Sequence, residues 1–441
     1  MRALVVIAAD QYVRNLVSAG ALDGLDPEET FYVTSARGVR DPAALTARGA
    51  RVVRAVDEPE ARLKAYRHLH NVMLFALRGR SRTMAAKARL FPRIQRLRYA
   101  VAALPGVRAL TVRASLRQTG PNTELDRVIE EVCPDIVIAP SGGIDALVLD
   151  AVRGARRHGV PSLVIAHNWD NLSSKGAFAV KPDALAVWGE QSREHAVRIH
   201  GFPPERVHVL GAPSLDPYFH HRTGSSTSRF PFRYALFAGC YAPFDERTAL
   251  EHLDRTIAEK DLGITVVYRP HPHRKPRAEP DLVDETRLRH IVIDPEVREA
   301  YLASFAEYLP AAVRASPLFP PLDTYPATLE HAEVVVCPLS TMLVEAAVFE
   351  RPVLVVAYDD GIHADSPATA VGFDHFEGID RVEGFEVVRR AEGLGPTFER
   401  MTRAPAPAGR SLREQMSWWL YHDERTYAER LAVLTGRLAR P

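Results

Sequence analysis

Arg269-Pro270-His271-Pro272-His273 and Cys337-Pro338-Leu339-Ser340-Thr341 hold the residue types that would grip a phosphate group. Each follows a short apolar run, 264–268 and 332–336, of the kind that forms a buried parallel strand. Strand ends bearing Arg, His, Ser and Thr, one of them leading into a helix, combine positive charge, hydroxyl donors and open backbone N–H groups, all of which attract an anion. Glu345, one turn into that helix, is placed to accept hydrogen bonds from ribose hydroxyls. Plainer readings exist: Ser340-Thr341 is an ordinary N-cap and His-Pro an ordinary turn. Their order and spacing within one stretch of alternating strands and helices favour the phosphate site.

A second constellation lies in the first half, where His167-Asn168-Trp169-Asp170-Asn171-Leu172-Ser173-Ser174-Lys175 follows the run 162–166. This is more polar chemistry than a turn requires, and it sits at a strand's carboxyl end, where open α/β sheets bind ligands. The strand before it ends in Pro140-Ser141-Gly142-Gly143-Ile144-Asp145, whose glycines allow a ligand to approach the backbone closely. Group transfer to a hydroxyl needs a carboxylate or imidazole within hydrogen-bond reach to take its proton. Asp170 and His167 are the catalytic candidates, with Asp145, Gly142, Gly143, Asn168, Asn171 and Lys175 on the acceptor side. Asp170 is equally read as an Asx-turn, Asp145 is better read as structural, and Lys175 fits either a phosphate contact or a solvated surface position. Tyr358-Asp359-Asp360-Gly361-Ile362-His363 reads as an acidic turn. No His, Cys or acidic spacing matches a metal site, so neither metal nor cofactor is expected.

The elements that must position these residues alternate along the chain. Strands are expected at 2–8, 30–34, 51–55, 135–139, 162–166, 184–188 and 207–210, then at 234–238, 265–268, 290–293, 334–336 and 352–356, with helical stretches between. This predicts an α/β protein of two doubly wound, Rossmann-like domains with a cleft between them. An acceptor-binding domain is expected at 1–222, a nucleotide-donor domain at 230–405 and a helical tail at 406–441, packed back on the domains. The polar stretch 220–229 is the expected linker. In the tail, apolar positions from Leu412 to Leu438 recur at helical spacing, and Trp418-Trp419 calls for burial.

With 441 residues, 46% hydrophobic and 25% charged, the composition is that of a globular protein rather than a disordered one. The net charge of +1 conceals an asymmetry: residues 61–123 contain 14 Lys or Arg and no acid, leaving −13 on the remainder. Helical faces marked by Tyr66, Leu69, Met73 and Leu77, and by Leu90, Ile94, Leu97 and Val101, predict basic amphipathic helices able to touch an anionic membrane surface. Three scattered cysteines suit a reducing compartment. The first ten residues read as a strand ending in an acid rather than a signal segment, and no apolar run nears the ~18 residues a membrane helix needs. A cytoplasmic protein is expected, peripheral on the inner face of the plasma membrane if the basic stretch binds lipid, with no nucleic-acid partner.

The His271-Pro272 and Ser340-Thr341 pairs resemble the His-Pro and Ser-Ser/Thr motifs of bacterial GT-B transferases that use cytidine-nucleotide donors: polysialyltransferases, capsule Kdo transferases and CDP-glycerol glycerophosphotransferases. The resemblance covers roughly 230–360 and extends more weakly to the loop at 166–176. There, His167 with Lys175 is similar in layout to the glycerophosphotransferases' His-Gly-Thr-Pro-Leu-Lys signature, with the Gly and Pro replaced and the spacing longer. The polysialyltransferases' acidic motif precedes the His-Pro pair, whereas Asp359-Asp360-Gly361 follows it. The resemblance implies a metal-independent transfer of a sugar or polyol phosphate from a CMP- or CDP-linked donor to a glycan or lipid-linked acceptor. Arg269, His271, Ser340 and Thr341 would hold the donor phosphate, and Glu345 the ribose. A non-hydrolysing UDP-sugar 2-epimerase has the same two-domain plan, and an inactive sugar-nucleotide-binding protein is a third reading.

Overall fold

The computed structural model describes residues 1–40, 45, 51–221, 227–241, 244–272, 282–306, 324–363, 366–404 and 409–439. The chain forms two compact units, Met1–Pro217 together with Ser417–Pro441, and Tyr218–Met416.

The first unit is built on a parallel sheet of β1 (Ala3–Ile7), β2 (Thr30–Ser35), β3 (Arg51–Val56), β4 (Ile136–Ser141), β5 (Ser162–Ala166), β6 (Ala184–Val187) and β7 (Val207–Val209), in the order β3-β2-β1-β4-β5-β6-β7. Its central strands are continuously apolar because both faces are covered. In β1, Leu4 and Val6 enter one core, and Ala3, Val5 and Ile7 enter the other. The order reverses between β1 and β4, which pair as Ala3 with Ile136 and Val5 with Ile138. There the two crossovers depart in opposite directions and leave a crevice.

Between β3 and β4 the chain inserts a helical subassembly: α1 (Glu60–Leu77), α2 (Arg82–Arg89), α3 (Arg93–Ala102) and α4 (Pro105–Thr119). α1 buries Tyr66 and Leu69 against Ala146 and Leu149. Ser81 caps α2 by accepting the Met84 N–H (3.1 Å), and donates its own hydroxyl to the Ser173 carbonyl (2.5 Å). The basic stretch is thereby pinned to the loop that follows β5.

The second unit repeats the plan with β8 (Tyr234–Ala238), β9 (Thr265–Arg269), β10 (Ile291–Ile293), β11 (Val335–Pro338), β12 (Val353–Val356) and β13 (Phe385–Val388), all parallel, in the order β10-β9-β8-β11-β12-β13. Its switch point lies between β8 and β11. The edge strand β13 was not expected from the sequence.

The tail is not one helix. Leu412–Gln415 forms a single turn, and a new helix, Tyr427–Leu438, starts at a capping box between Thr426 and Glu429. Between them a 3₁₀ turn at Met416–Trp418 gives way to non-helical chain, in which Tyr421 donates its N–H to the Trp188 carbonyl (2.8 Å). Trp419 is buried, but Trp418 is 39% exposed, so only one of the paired tryptophans has the burial expected of both.

Candidate functional site

At the switch point of the first sheet, the residues after β1 and β4 converge. Tyr12 donates its hydroxyl to Asp145 Oδ2 (2.8 Å), and Ser141 donates its own to the same oxygen (2.6 Å). Each donor is itself fed by a backbone N–H, Gly142 to Tyr12 (3.0 Å) and Gly143 to Ser141 (2.8 Å). Gly143 has φ +75°, and a Cβ there would meet Gly176 Cα at 2.6 Å, so the loop needs glycine at that point. Burial pushes the Asp145 carboxyl above the usual carboxylate range; the bonds from Ser141 and Tyr12 and the charge of Lys175 offset only part of this. Asp145 also borders a small cavity lined by Tyr66, Leu149 and Phe178. Behind it lie two more buried carboxylates. Glu58 takes the Ser35 hydroxyl (2.6 Å) and is likewise raised by burial, while Asp150 is paired with Arg62 (Nε–Oδ2 3.0 Å).

The neighbouring loop after β5 is tied to this one: His167 donates its N–H to Ser141 O (3.0 Å), and Ala177 to Gly143 O (3.0 Å). The His167 ring lies edge-on to Tyr12 at 4.7 Å. Burial, reinforced by Lys175, lowers its pKa to about 4, so it is neutral at pH 7 and a weak base. Asp170 accepts from Ser174 Oγ (2.7 Å) and Asn171 Nδ2 (3.2 Å), with Lys175 Nζ at 4.0 Å. Asn171 Oδ1 takes the Asn168 N–H (2.7 Å), and Asn168 Oδ1 takes the Trp169 N–H (2.8 Å). These three side chains hold the turn together, which is the Asx-type reading of Asp170. Lys87 of α2 enters the same neighbourhood: burial lowers its pKa, Asp170 raises it and Lys175 lowers it. The sequence reading missed Tyr12, Glu58 and Lys87. A tyrosine just past a strand looks like core, and one lysine among fourteen basic residues carries no distinguishing signal.

In the second unit, β8 ends in Gly239-Cys240-Tyr241, flanked on the sheet by the ends of β9 and β11. Glu246, fully buried, holds this loop by accepting the Cys240 N–H (3.0 Å) and the Tyr268 hydroxyl (2.5 Å). A Cβ on Gly239 would sit 2.8 Å from Glu246 Oε2 and 3.0 Å from the His271 N. His271 follows β9 with its ring 5.7 Å from Tyr241; His273 lies outside the described residues. Ser340 and Thr341 follow β11 and are partly exposed, as is Glu345 in the seven-residue helix Met342–Val348. Ser340 Oγ accepts the Met342 N–H (3.3 Å), and the Thr341 side chain makes no capping bond.

Arg269 is elsewhere. Its guanidinium is buried against Asp294 (Nε–Oδ2 2.7 Å) and lies 4.3 Å over the Tyr325 ring. Asp294, just past β10, takes Arg269 Nε and Nη2, while Arg269 Nη1 is buried without a hydrogen-bond partner among the described residues. Asp359 and Asp360 do form an acidic turn, accepting the N–H groups of Gly361 (2.9 Å) and Ile362 (3.0 Å). His363 Nδ1 lies 2.7 Å from Asp360 Oδ2. Burial opposes ionisation of Asp360, but the bonds from His363, Ile362 and Asp245 outweigh it and lower its pKa.

Two parallel, Rossmann-like sheets in succession, each with its polar residues at a switch point, define the architecture. The fold is GT-B-like. The Staphylococcus aureus MnaA–UDP structure is similar with a TM-score of 0.54 at 12% identity, covering 99% of this chain and 97% of that one. The UDP-GlcNAc 2-epimerase of Methanocaldococcus jannaschii gives 0.54 at 10% identity, over 99% of this chain and all of its own. The kitacinnamycin glycotransferase gives 0.52 at 13%, over 100% and 99%. At such identities what is shared is the fold. No family model and no curated protein matches the sequence.

Proposed function

We propose that the protein is a metal-independent, nucleotide-sugar-dependent transferase of the GT-B type, acting on a glycan or lipid-linked acceptor. The observation that carries this reading is Asp145: a carboxylate at the first sheet's switch point that accepts two hydroxyls, with its pKa raised by burial. It replaces Asp170 and His167 as the candidate base, because Asp170 is engaged in shaping its loop and His167 is too weakly basic. In the transfer step the acceptor hydroxyl gives its proton to Asp145 and its oxygen attacks the activated carbon. The bond from that carbon to the donor phosphate breaks, and the nucleotide leaves with the electron pair. Within the second unit, His271 and the Ser340-Thr341 turn carry the groups suited to a nucleotide phosphate, with Glu345 for the ribose. A cytidine nucleotide as donor rests on the His-Pro and Ser-Thr pairs, and a polyol phosphate would be accommodated by the same parts.

The second reading is a 2-epimerase-like isomerase. The Tyr12–Asp145 pair favours it, since a carboxylate beside a hydroxyl can also move a proton at a sugar carbon. Thermal shift against CMP, CDP, UDP and GDP identifies the nucleotide, because stabilisation follows affinity. Incubation with the corresponding nucleotide sugars then separates the readings. Epimerisation without acceptor establishes the isomerase, and consumption only with acceptor establishes the transferase. If no nucleotide stabilises the protein and no donor is consumed, both fail.

A further inference from the structure

Helices α3 and α4 pack on the first unit through one face and leave apolar side chains of the other in water. α3 has no buried residue, and α4 buries only Ser115 and Thr119. Ile94 is 84% exposed, Leu97 68% and Leu110 69%, with Leu90, Val101 and Leu104 completing the strip. At about 100° per residue, Ile94, Leu97 and Val101 share one face of α3. That face lies opposite Tyr99, the residue that packs inward on Phe75 (5.4 Å) and Phe91 (5.8 Å). On α4, Val112 and Leu116 pack toward Tyr66 and Leu69, and Leu110 points the other way. The helical face marked by Tyr66, Leu69 and Leu77 is thus core, and the one marked by Ile94 and Leu97 is not. A contiguous apolar strip of this kind marks an interaction surface.

We infer that the α3–α4 face docks on an anionic lipid bilayer. Charge selects that occupant. Arg93, Arg96, Arg98, Arg113 and Arg117 are exposed on the same two helices, and no acid occurs anywhere in 61–123. A second copy of the chain meeting this face across a two-fold axis would set arginine against arginine with nothing to neutralise either. A bilayer answers both features: aliphatic side chains enter the acyl boundary while the arginines stay among headgroup phosphates. Among the described residues no helix is long and apolar enough to cross a membrane, so the contact is a surface one. Arg78 and Arg80, in the same basic stretch, serve the fold instead: Arg80 donates to the Ile199 carbonyl and Arg78 Nη1 is buried.

The test is sedimentation of the full chain with phosphatidylcholine vesicles, with and without phosphatidylglycerol. Binding is expected only when the anionic lipid is present, and it should weaken as salt is raised. Ile94→Gln/Leu97→Gln/Leu110→Gln should cut the bound fraction at least about tenfold with little effect on Tm, since these side chains are largely exposed. Arg93→Gln/Arg96→Gln/Arg98→Gln should weaken binding by roughly fivefold per arginine. Thermal shift by nucleotide should be unchanged in both variants, which keeps this test separate from that of the proposed activity. Three outcomes overturn the inference: sedimentation with neither vesicle, equal sedimentation with both, or an apolar variant that dissociates a dimer in velocity sedimentation while still binding lipid.

Discussion

Both switch points pair a glycine-bearing strand end with a carboxylate, but they place the carboxylate differently. In the first unit Asp145 lies in the loop itself, and the backbone N–H groups of Gly142 and Gly143 are directed inward through Tyr12 and Ser141 to reach it. In the second unit the carboxylate is Glu246, fully buried behind Gly239 and used to fix the loop. His271, Ser340 and Thr341, at the ends of the neighbouring strands, are left partly exposed. One arrangement suits holding a proton, the other suits meeting an anion. Two sheets of the same parallel plan thus differ in where the switch-point carboxylate lies.

Asp145→Asn tests the proton-holding half with the largest expected effect. Turnover should fall by ~10²–10⁴ with nucleotide affinity unchanged, whereas Asp170→Asn should cost less than about tenfold. The reverse ranking in steady-state kinetics would move the base to the neighbouring loop and end the contrast between the two units.

His271→Ala tests the anion-meeting half. Loss of a charge-assisted bond worth ~1.5–3 kcal/mol should weaken nucleotide binding roughly ten- to a hundredfold by titration calorimetry. Unchanged affinity would remove the donor site from this loop.

The glycines sharpen the comparison. Gly239→Ala should destabilise the protein by ~1–3 kcal/mol, because its Cβ would meet Glu246 Oε2 at 2.8 Å and the His271 N at 3.0 Å. Gly142→Ala should be tolerated, since its nearest neighbour would be Ile144 Cγ1 at 3.5 Å. Denaturant midpoints for the two variants check this.

The smallest effect is on pH dependence. His167 and His200 are both lowered by burial to about 4, so their unfolded forms bind protons more readily than their folded forms. Their stabilising contribution is complete above about pH 6.5 and lost as pH falls through about 4. His200→Gln should flatten the fall in Tm across that window; a slope identical to the parent's would count against its burial as a neutral group.

The architecture was legible because both faces of each sheet are buried, which forces strands such as 3–7 and 353–356 into continuous apolar runs. β13 escaped for the converse reason: it is an edge strand, and Glu386 at its second position is exposed. Loops at strand ends were legible as places but not as roles. Composition cannot separate Asp145 from Asp170, because the difference lies in Tyr12, 133 residues away in sequence, and in which way the glycine N–H groups turn. Arg269 is a related case: its acidic partner, Asp294, follows the next strand of the sheet, 25 residues away in sequence.

The first unit closes late. Helix Tyr427–Leu438 places Tyr427, Leu431 and Leu434 in the same core as Val5 and Ile7 of β1, and Arg430 is buried with Asp216. During synthesis, β1 must therefore wait through the whole second unit for the helix that covers it. A fragment ending at Pro217 carries seven strands and still lacks one of its walls. It should aggregate when made alone and become soluble when residues 417–441 are supplied as a separate peptide.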